Sequence, residues 1–109
     1  MVSKITIGVA ISVMLLSGCV TEDRYNRAQE VLSGSPAVKR DAINRCYIGA
    51  NKASPARKAE MAKIMNVSQR SNVAKTYCRR AFNAIANKQI DYDDFKKQSP
   101  AFIRAIQGR

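Results

Sequence analysis

Three cysteines, Cys19, Cys46 and Cys78, are the side chains with the widest choice of chemistry in this 109-residue sequence. A thiol needs a neighbouring base to act as a nucleophile, and a zinc site usually combines cysteine with histidine. The sequence contains no histidine. We therefore predict neither a cysteine nucleophile nor a zinc centre, and a Ser-His catalytic arrangement is excluded as well.

Carboxylates offer the other route to catalysis, because glycoside hydrolysis uses a pair of acids that flank a cleft. The only acidic cluster, Asp91-Tyr92-Asp93-Asp94, is typical of a helix start, where negative charge favours the helix dipole. It does not begin an EF-hand, because Phe95, Lys96 and Phe102 occupy positions that need an oxygen ligand, glycine and glutamate. We expect no catalytic residue, no metal and no cofactor.

The first nineteen residues form a separate signal. Lys4 precedes an apolar run over residues 5–16, which is too short for the ~20 residues of a spanning helix. This is the pattern of a secretory signal peptide. Leu16-Ser17-Gly18-Cys19 then resembles the lipobox of bacterial lipoproteins. There are two alternatives to a lipoprotein signal. The segment is an uncleaved anchor helix, or it is cleaved in the ordinary way and Cys19 stays unmodified.

The resemblance implies that the Cys19 thiol receives a diacylglyceryl group and that cleavage before Cys19 frees an amine that is then acylated. Two or three acyl chains such as palmitate hold a protein on a membrane nearly permanently. We therefore expect a signal peptide over residues 1–18, a lipidated cysteine with a membrane-proximal helix over 19–34, and a basic helical domain over 35–109. Val20 is not the aspartate that resembles an inner-membrane retention signal, which favours the outer membrane.

Export also predicts the state of the other two cysteines. In an oxidising compartment such as the periplasm, an even pair normally forms a disulfide, so we expect Cys46 and Cys78 to be bonded. The 91 residues that remain after cleavage can form only a small hydrophobic core, and a covalent link across that core would stabilise it.

Charge is the second strong signal. The sequence has 19 basic and 8 acidic residues, a net charge of +11, and loss of Lys4 with the signal peptide leaves +10. Export disfavours nucleic acid as a partner, so the candidates are lipid head groups, lipopolysaccharide phosphates and cell-wall polymers. A merely solvated surface is the alternative. The candidate anion-contacting residues are Arg57, Lys58, Lys75, Arg79, Arg80, Lys96 and Lys97.

Helix signals recur along the mature chain. Serine caps a helix and proline fits its first position, so Ser35-Pro36, Ser54-Pro55 and Ser99-Pro100 each predict a helix start. Thr21 and Asp91 can cap two further helices. Apolar periodicity predicts helices over 22–32, 36–50, 55–66, 72–87 and 92–97, and no segment alternates as a strand does.

The helical wheels assign apolar side chains to the core, and among them are Val31, Val38, Cys46, Ile64 and Cys78, whereas Ile48 does not fit its helix. Both cysteines therefore face inward, as a bridge between two helices requires. We predict an all-α fold: a small bundle of four or five short helices stapled by one disulfide, after a cleaved signal peptide.

The functional hypothesis is a non-enzymatic, lipid-anchored protein of the bacterial envelope that binds or scaffolds an anionic envelope component. Two alternatives stay open. One is an accessory lipoprotein subunit or exclusion factor of a secretion or conjugation apparatus, which predicts a flat apolar patch. The other is a small cell-wall-directed hydrolase or inhibitor, which predicts a concave site or a protruding loop.

Overall fold

A computed structural model describes residues 20–109, so the predicted signal peptide and the predicted lipobox with Cys19 lie outside the described residues. Within 20–109 the chain is all-α and contains no strand, which confirms the predicted fold class. The helices are α1 (Glu22–Gly34), α2 (Pro36–Ala50), α3 (Pro55–Met65), α4 (Val73–Ala86), α5 (Tyr92–Lys97) and α6 (Pro100–Ile106). This part of the chain has six helices where four or five were expected, and the two short ones, α5 and α6, begin where Asp91 and Ser99-Pro100 predict a start.

The helix starts follow from local chemistry. The hydroxyls of Ser35, Ser54 and Ser99 each accept a hydrogen bond from the backbone N–H three residues later, and a proline follows each serine. At the start of α5, the carboxylates of Asp91 and Asp94 each accept from the other residue's backbone N–H, which forms a capping box. The predicted caps are therefore confirmed.

Helix α4 is the centre of the bundle. Eight of its fourteen residues are buried, and α1, α2, α3 and α6 all pack against it. Cys46 of α2 is bonded to Cys78 of α4, with 5.8 Å between their Cα atoms, as the sequence predicted. Both cysteines are buried among apolar side chains. The disulfide thus joins the central helix to its most extensive neighbour.

Helix α1 packs against the C-terminal end of α4 through polar side chains. The Gln29 amide donates to the carbonyls of Ile85 (3.0 Å) and Ile90 (3.2 Å), and the Ser33 hydroxyl donates to the Ala86 carbonyl. The buried Tyr25 hydroxyl donates to the Ile90 carbonyl at 2.9 Å. A helix end leaves carbonyls without partners, and here α1 supplies the donors.

Five aromatic rings form a row through the interior. Neighbouring ring centroids lie 5.5–6.5 Å apart, in the order Tyr92, Tyr25, Phe95, Phe102 and Tyr77. Tilted and edge-to-face contacts at this spacing stabilise a core beyond the area that they bury. The row begins at α1 and α5 and ends at the middle of α4.

Three apolar side chains that the wheels assigned to the core are exposed, and for them the prediction is wrong. Val31 is 51% exposed, Val38 42% and Ile64 45%. On α1, Gln29 and Ser33 turn toward α4 because their donors satisfy its carbonyls, and this rotates Val31 outward. Ile48, the predicted misfit, is indeed exposed at 54%.

The disulfide yields a first prediction. Changing Cys46→Ser and Cys78→Ser together should lower the free energy of unfolding by roughly 3–4 kcal/mol, because the link constrains the unfolded chain over a separation of 32 residues. Urea denaturation measures the change. Reductant should shift the parent protein's midpoint and leave that of the double variant unmoved, and equal midpoints of the oxidised parent and the variant would contradict the prediction.

Tyr25 yields a second prediction, on pH. Burial first, and then the Asp91 and Asp94 carboxylates, raise the pKa of the Tyr25 phenol above its ordinary 10.0. The folded state therefore keeps the proton where the unfolded chain loses it, so this stabilisation is complete below pH 10 and is lost as the pH rises above it. Burial likewise raises the pKa of Tyr77.

Tyr25→Phe should cost about 1 kcal/mol at neutral pH, through loss of its hydrogen bond, and should reduce the fall in stability above pH 10. Urea midpoints of both proteins across the alkaline range measure this. A variant whose stability falls as steeply as the parent's would show that Tyr25 does not contribute.

Candidate anion-binding surface

Positive charge is concentrated in one third of the described chain. Residues 51–80 contain eight basic residues and one acidic residue, Glu60. Residues 20–50 contain five basic and four acidic residues, and residues 81–109 contain five and three. The excess therefore lies on α3, on the loop after it and on the first half of α4.

Contacts bring part of this charge together at the C-terminal end of α2. The Lys58 ammonium donates to the Asn51 side-chain oxygen at 2.9 Å, and the Lys75 ammonium lies 5.7 Å from the centre of the Tyr47 ring. Tyr47 and Asn51 are one turn apart, and the Asn51 N–H donates to the Tyr47 carbonyl. Two cations from different helices thus meet over one turn of α2.

Two more cations extend this group. Lys52 directly follows Asn51, and Arg79 lies one turn after Lys75 on the same face of α4, with both side chains exposed. We call Lys52, Lys58, Lys75 and Arg79 the basic cluster. The partial negative charge at the end of α2 favours Lys58 and Lys75, whereas their positions in the first turns of α3 and α4 disfavour positive charge.

Arg57 is exposed on a different side of α3. Glu60 is the third residue after it, and this spacing places the two side chains next to each other on the helix. Lys58 and Glu60 are two residues apart, or about 200° around the helix, so the one acid of this segment points away from the cluster. Arg57 therefore adds charge near the cluster without belonging to it.

Arg80 has a structural position. Its side chain is half-buried and donates to the Ile106 carbonyl at 3.0 Å, at the end of α6. The guanidinium also lies against Gly108, where an added Cβ would be 3.0 Å from Cζ and where φ is +80°. Arg80 thus completes the C-terminal end of α6 through its Nη1 donor.

Lys96 and Lys97 lie apart from the other candidates, on α5. The Lys96 ammonium is 5.8 Å from the centre of the Tyr92 ring, and Lys97 pairs with Asp93 at 3.3 Å. The structure therefore brings together Lys58, Lys75 and Arg79 of the seven predicted residues and separates the rest.

The first described residue, Val20, lies beside the start of α5, the helix that carries Lys96 and Lys97. Val20 is only 4% exposed, and its carbonyl accepts a hydrogen bond from the Tyr92 hydroxyl at 3.0 Å. Tyr92 follows the corner at Ile90, where Tyr25 binds. Val20 thus packs against the start of α5, with no spacer between it and the core.

Acidic residues gather at this point of entry. Glu22 and Asp23 form the first turn of α1, and Asp91, Asp93 and Asp94 form the start of α5. These are five of the eight acidic residues in the sequence. A hydrogen bond from the Ser99 hydroxyl, at 2.7 Å, is the main cause that lowers the pKa of Asp94, so that this carboxylate stays charged.

Sequence reasoning missed Lys52, which has no charged neighbour in the chain and belongs to no run of basic residues. The signal that could have found it is the count of charges by segment, because residues 51–80 differ so clearly from their flanks. The contacts of Lys58 and Lys75 with the last turn of α2 could not be predicted from the sequence, because they join different helices.

Other kinds of site find no support among residues 20–109. No group of three or more acidic or cysteine side chains there could hold a metal ion. No helix in this range has both the length and the apolar character to cross a bilayer. A comparison of the sequence and structure with protein-family models, curated proteins and solved structures finds no match.

The contrast between Arg79 and Arg80 yields a third prediction. Arg80→Gln should lower the free energy of unfolding by about 1–2 kcal/mol, because the Ile106 carbonyl loses its donor. Arg79→Gln, an identical change at the next residue, should stay within about 0.5 kcal/mol of the parent, because its exposed side chain makes no such bond. Thermal unfolding of both variants measures this, and equal losses would show that Arg80 has no structural role.

Proposed function

We propose that this protein is a non-enzymatic, lipid-anchored component of the bacterial envelope, held at the membrane through Cys19, whose basic helical domain binds an anionic envelope component. The outer membrane is the favoured location. The observation that carries the proposal is the basic cluster, because Lys58 of α3 and Lys75 of α4 both contact the last turn of α2. Lys52 follows that turn in the chain and Arg79 lies one turn after Lys75, and none of the four forms an ion pair with an acid of residues 20–109.

The entry of the chain into the fold supports the anchoring part of the proposal. Lipid chains on Cys19 would begin one residue before Val20, which is buried against Tyr92. A domain attached in this way stays next to the bilayer surface. A flexible spacer would let it move away.

The electrostatics support the binding part. Each well-placed lysine or arginine near an anionic surface contributes up to about 1 kcal/mol. Arg27, Arg45, Lys88 and Lys97 form the surface ion pairs of residues 20–109, and no member of the cluster is among them. Binding of this kind weakens steeply as salt concentration rises.

Anchoring yields the fourth prediction. The protein extracted from bacterial membranes should begin at Cys19 and carry the added mass of fatty chains, and Cys19→Ser should release it into the soluble fraction. Intact-mass spectrometry and cell fractionation measure these results. Cys46→Ser is the matched control, because it removes a cysteine from the folded domain and should leave the lipid in place. A parent protein without fatty chains would overturn the anchoring part of the proposal.

A further inference from the structure

We propose that the surface formed by Ile48 and the basic cluster docks on an anionic phospholipid bilayer, where Ile48 contacts the acyl chains and the lysines contact the head-group phosphates. This inference rests on the anion-binding part of the proposed function and names the partner of that surface. It comes from a large apolar side chain that is exposed beside the cations.

Ile48 extends from the last turn of α2 into solvent. At 54%, it is the most exposed of the large apolar side chains in residues 20–109. Cys46 and Ala50 are each two residues away, about 200° around the helix, and both pack into the core. The side of α2 that carries Ile48 therefore faces away from the protein interior.

Cations of the cluster lie close to this side chain. Asn51 is the third residue after the isoleucine, so the two are neighbours on the helix, and Asn51 accepts a hydrogen bond from the Lys58 ammonium at 2.9 Å. Lys75 lies over the ring of Tyr47, the residue before the isoleucine. Lys52 is the fourth residue after it. The apolar side chain is thus next to residues that carry or contact three of the four cations in the cluster.

Acids do not offset this charge. The only acid of α2 is Asp41, which precedes Ile48 by two turns and is paired with Arg45 at 2.9 Å. None of the ion pairs in residues 20–109 includes a lysine of the cluster. The surface around the isoleucine is therefore both apolar and positively charged.

A second exposed isoleucine differs in its neighbours. Ile64 of α3 is 45% exposed, and Glu60 precedes it by four residues, so the acid and the isoleucine share one face of the helix. Single exposed apolar side chains are common on protein surfaces and need no special explanation. What distinguishes Ile48 is that cations, and no acid, lie next to it.

This combination favours a bilayer among the anionic partners. Proteins bind a membrane surface through apolar side chains that enter the boundary of the acyl chains and through lysine and arginine that attract anionic head groups. Lysine suits the second role, because its apolar stem can lie along that boundary while the ammonium stays in water. A hydrated cell-wall polymer offers the charge but no apolar phase for Ile48. Fatty chains on Cys19, as proposed, would keep the domain beside such a surface.

The test measures how the full chain sediments with vesicles of phosphatidylcholine, with or without phosphatidylglycerol. Every protein carries Cys19→Ser, so that no attached acyl chain contributes to binding. Vesicles of phosphatidylcholine alone measure any contribution of the apolar run over residues 5–16. The quantity compared is the increase in the partition coefficient that phosphatidylglycerol causes.

Three variants are made in this background. Ile48→Gln removes the apolar side chain, and Ile64→Gln is the matched control, an identical change at the exposed isoleucine outside the cluster. A cluster variant combines Lys58→Gln, Lys75→Gln and Arg79→Gln. Circular dichroism and melting temperature establish that all three are folded.

Phosphatidylglycerol should increase the partition coefficient of the Cys19→Ser protein. Ile48→Gln should reduce that increase roughly 5-fold or more, because less apolar area then leaves water on binding. The cluster variant should reduce it at least ~10-fold, because several charge contacts are lost together. Ile64→Gln should bind as its parent does. Equal binding to both kinds of vesicle, or equal effects of Ile48→Gln and Ile64→Gln, would overturn the inference.

A second arm replaces the vesicles with isolated peptidoglycan sacculi. Ile48→Gln should leave any binding to sacculi unchanged, because a hydrated polymer gives the isoleucine no apolar phase to enter. Equal weakening by Ile48→Gln on sacculi and on vesicles would show that Ile48 does not act through acyl chains. Binding to sacculi that the cluster variant loses, without binding to anionic vesicles, would assign the cluster to a cell-wall polymer. Either result overturns the inference.

The inference and the proposed function fail separately. A weakened cluster variant with an unweakened Ile48→Gln would keep the anion-binding part of the proposed function and remove the bilayer as its partner. A parent protein without fatty chains would remove the anchor and leave the vesicle result valid, because the Cys19→Ser proteins bind without one.

Discussion

The hydrogen bonds between α1 and the C-terminal end of α4 are the contact on which the organisation of this molecule depends. An exposed helix end can leave its last carbonyls to water, but a packed one needs donors from the protein. Gln29 and Ser33 supply them, and Tyr25 donates to the Ile90 carbonyl, four residues after the helix ends. Because these bonds hold α1 in place, Val20, two residues before the helix, has a fixed position against Tyr92.

The fixed position of Val20 allows the distribution of charge to be described relative to it. The same net charge spread evenly over the surface would indicate solubility and general affinity for anions. Here the acids cluster where the chain enters, and the excess of lysine and arginine lies across α3 and the first half of α4. The disulfide contributes to this arrangement. It joins Cys46 and Cys78, whose next residues are Tyr47, which contacts Lys75, and Arg79, which belongs to the cluster.

Local signals predicted most of the fold and only part of the candidate surface. Ser-Pro pairs and capping residues act within one turn of helix, so the sequence alone locates the helix starts, and the two cysteines on apolar arcs predict their own bond. The helical wheel wrongly predicted that Val31 is buried. Hydrophobicity alone does not show that the Gln29 side chain donates a hydrogen bond to a carbonyl of another helix. In the same way, adjacent arginines look equivalent in sequence, yet Arg80 reaches Ile106 and Arg79 stays exposed.

The row of aromatic rings also gives the protein an optical signal of its own. The sequence has no tryptophan and four tyrosines, so tyrosine dominates its near-ultraviolet absorption and emission. Tyr92 and Tyr25 stand at one end of the row and Tyr77 at the other, while Tyr47 lies beneath the Lys75 ammonium. Chromophores are thus present both beside Val20 and beside the basic cluster, so structural changes in either region can be followed spectroscopically without an attached dye.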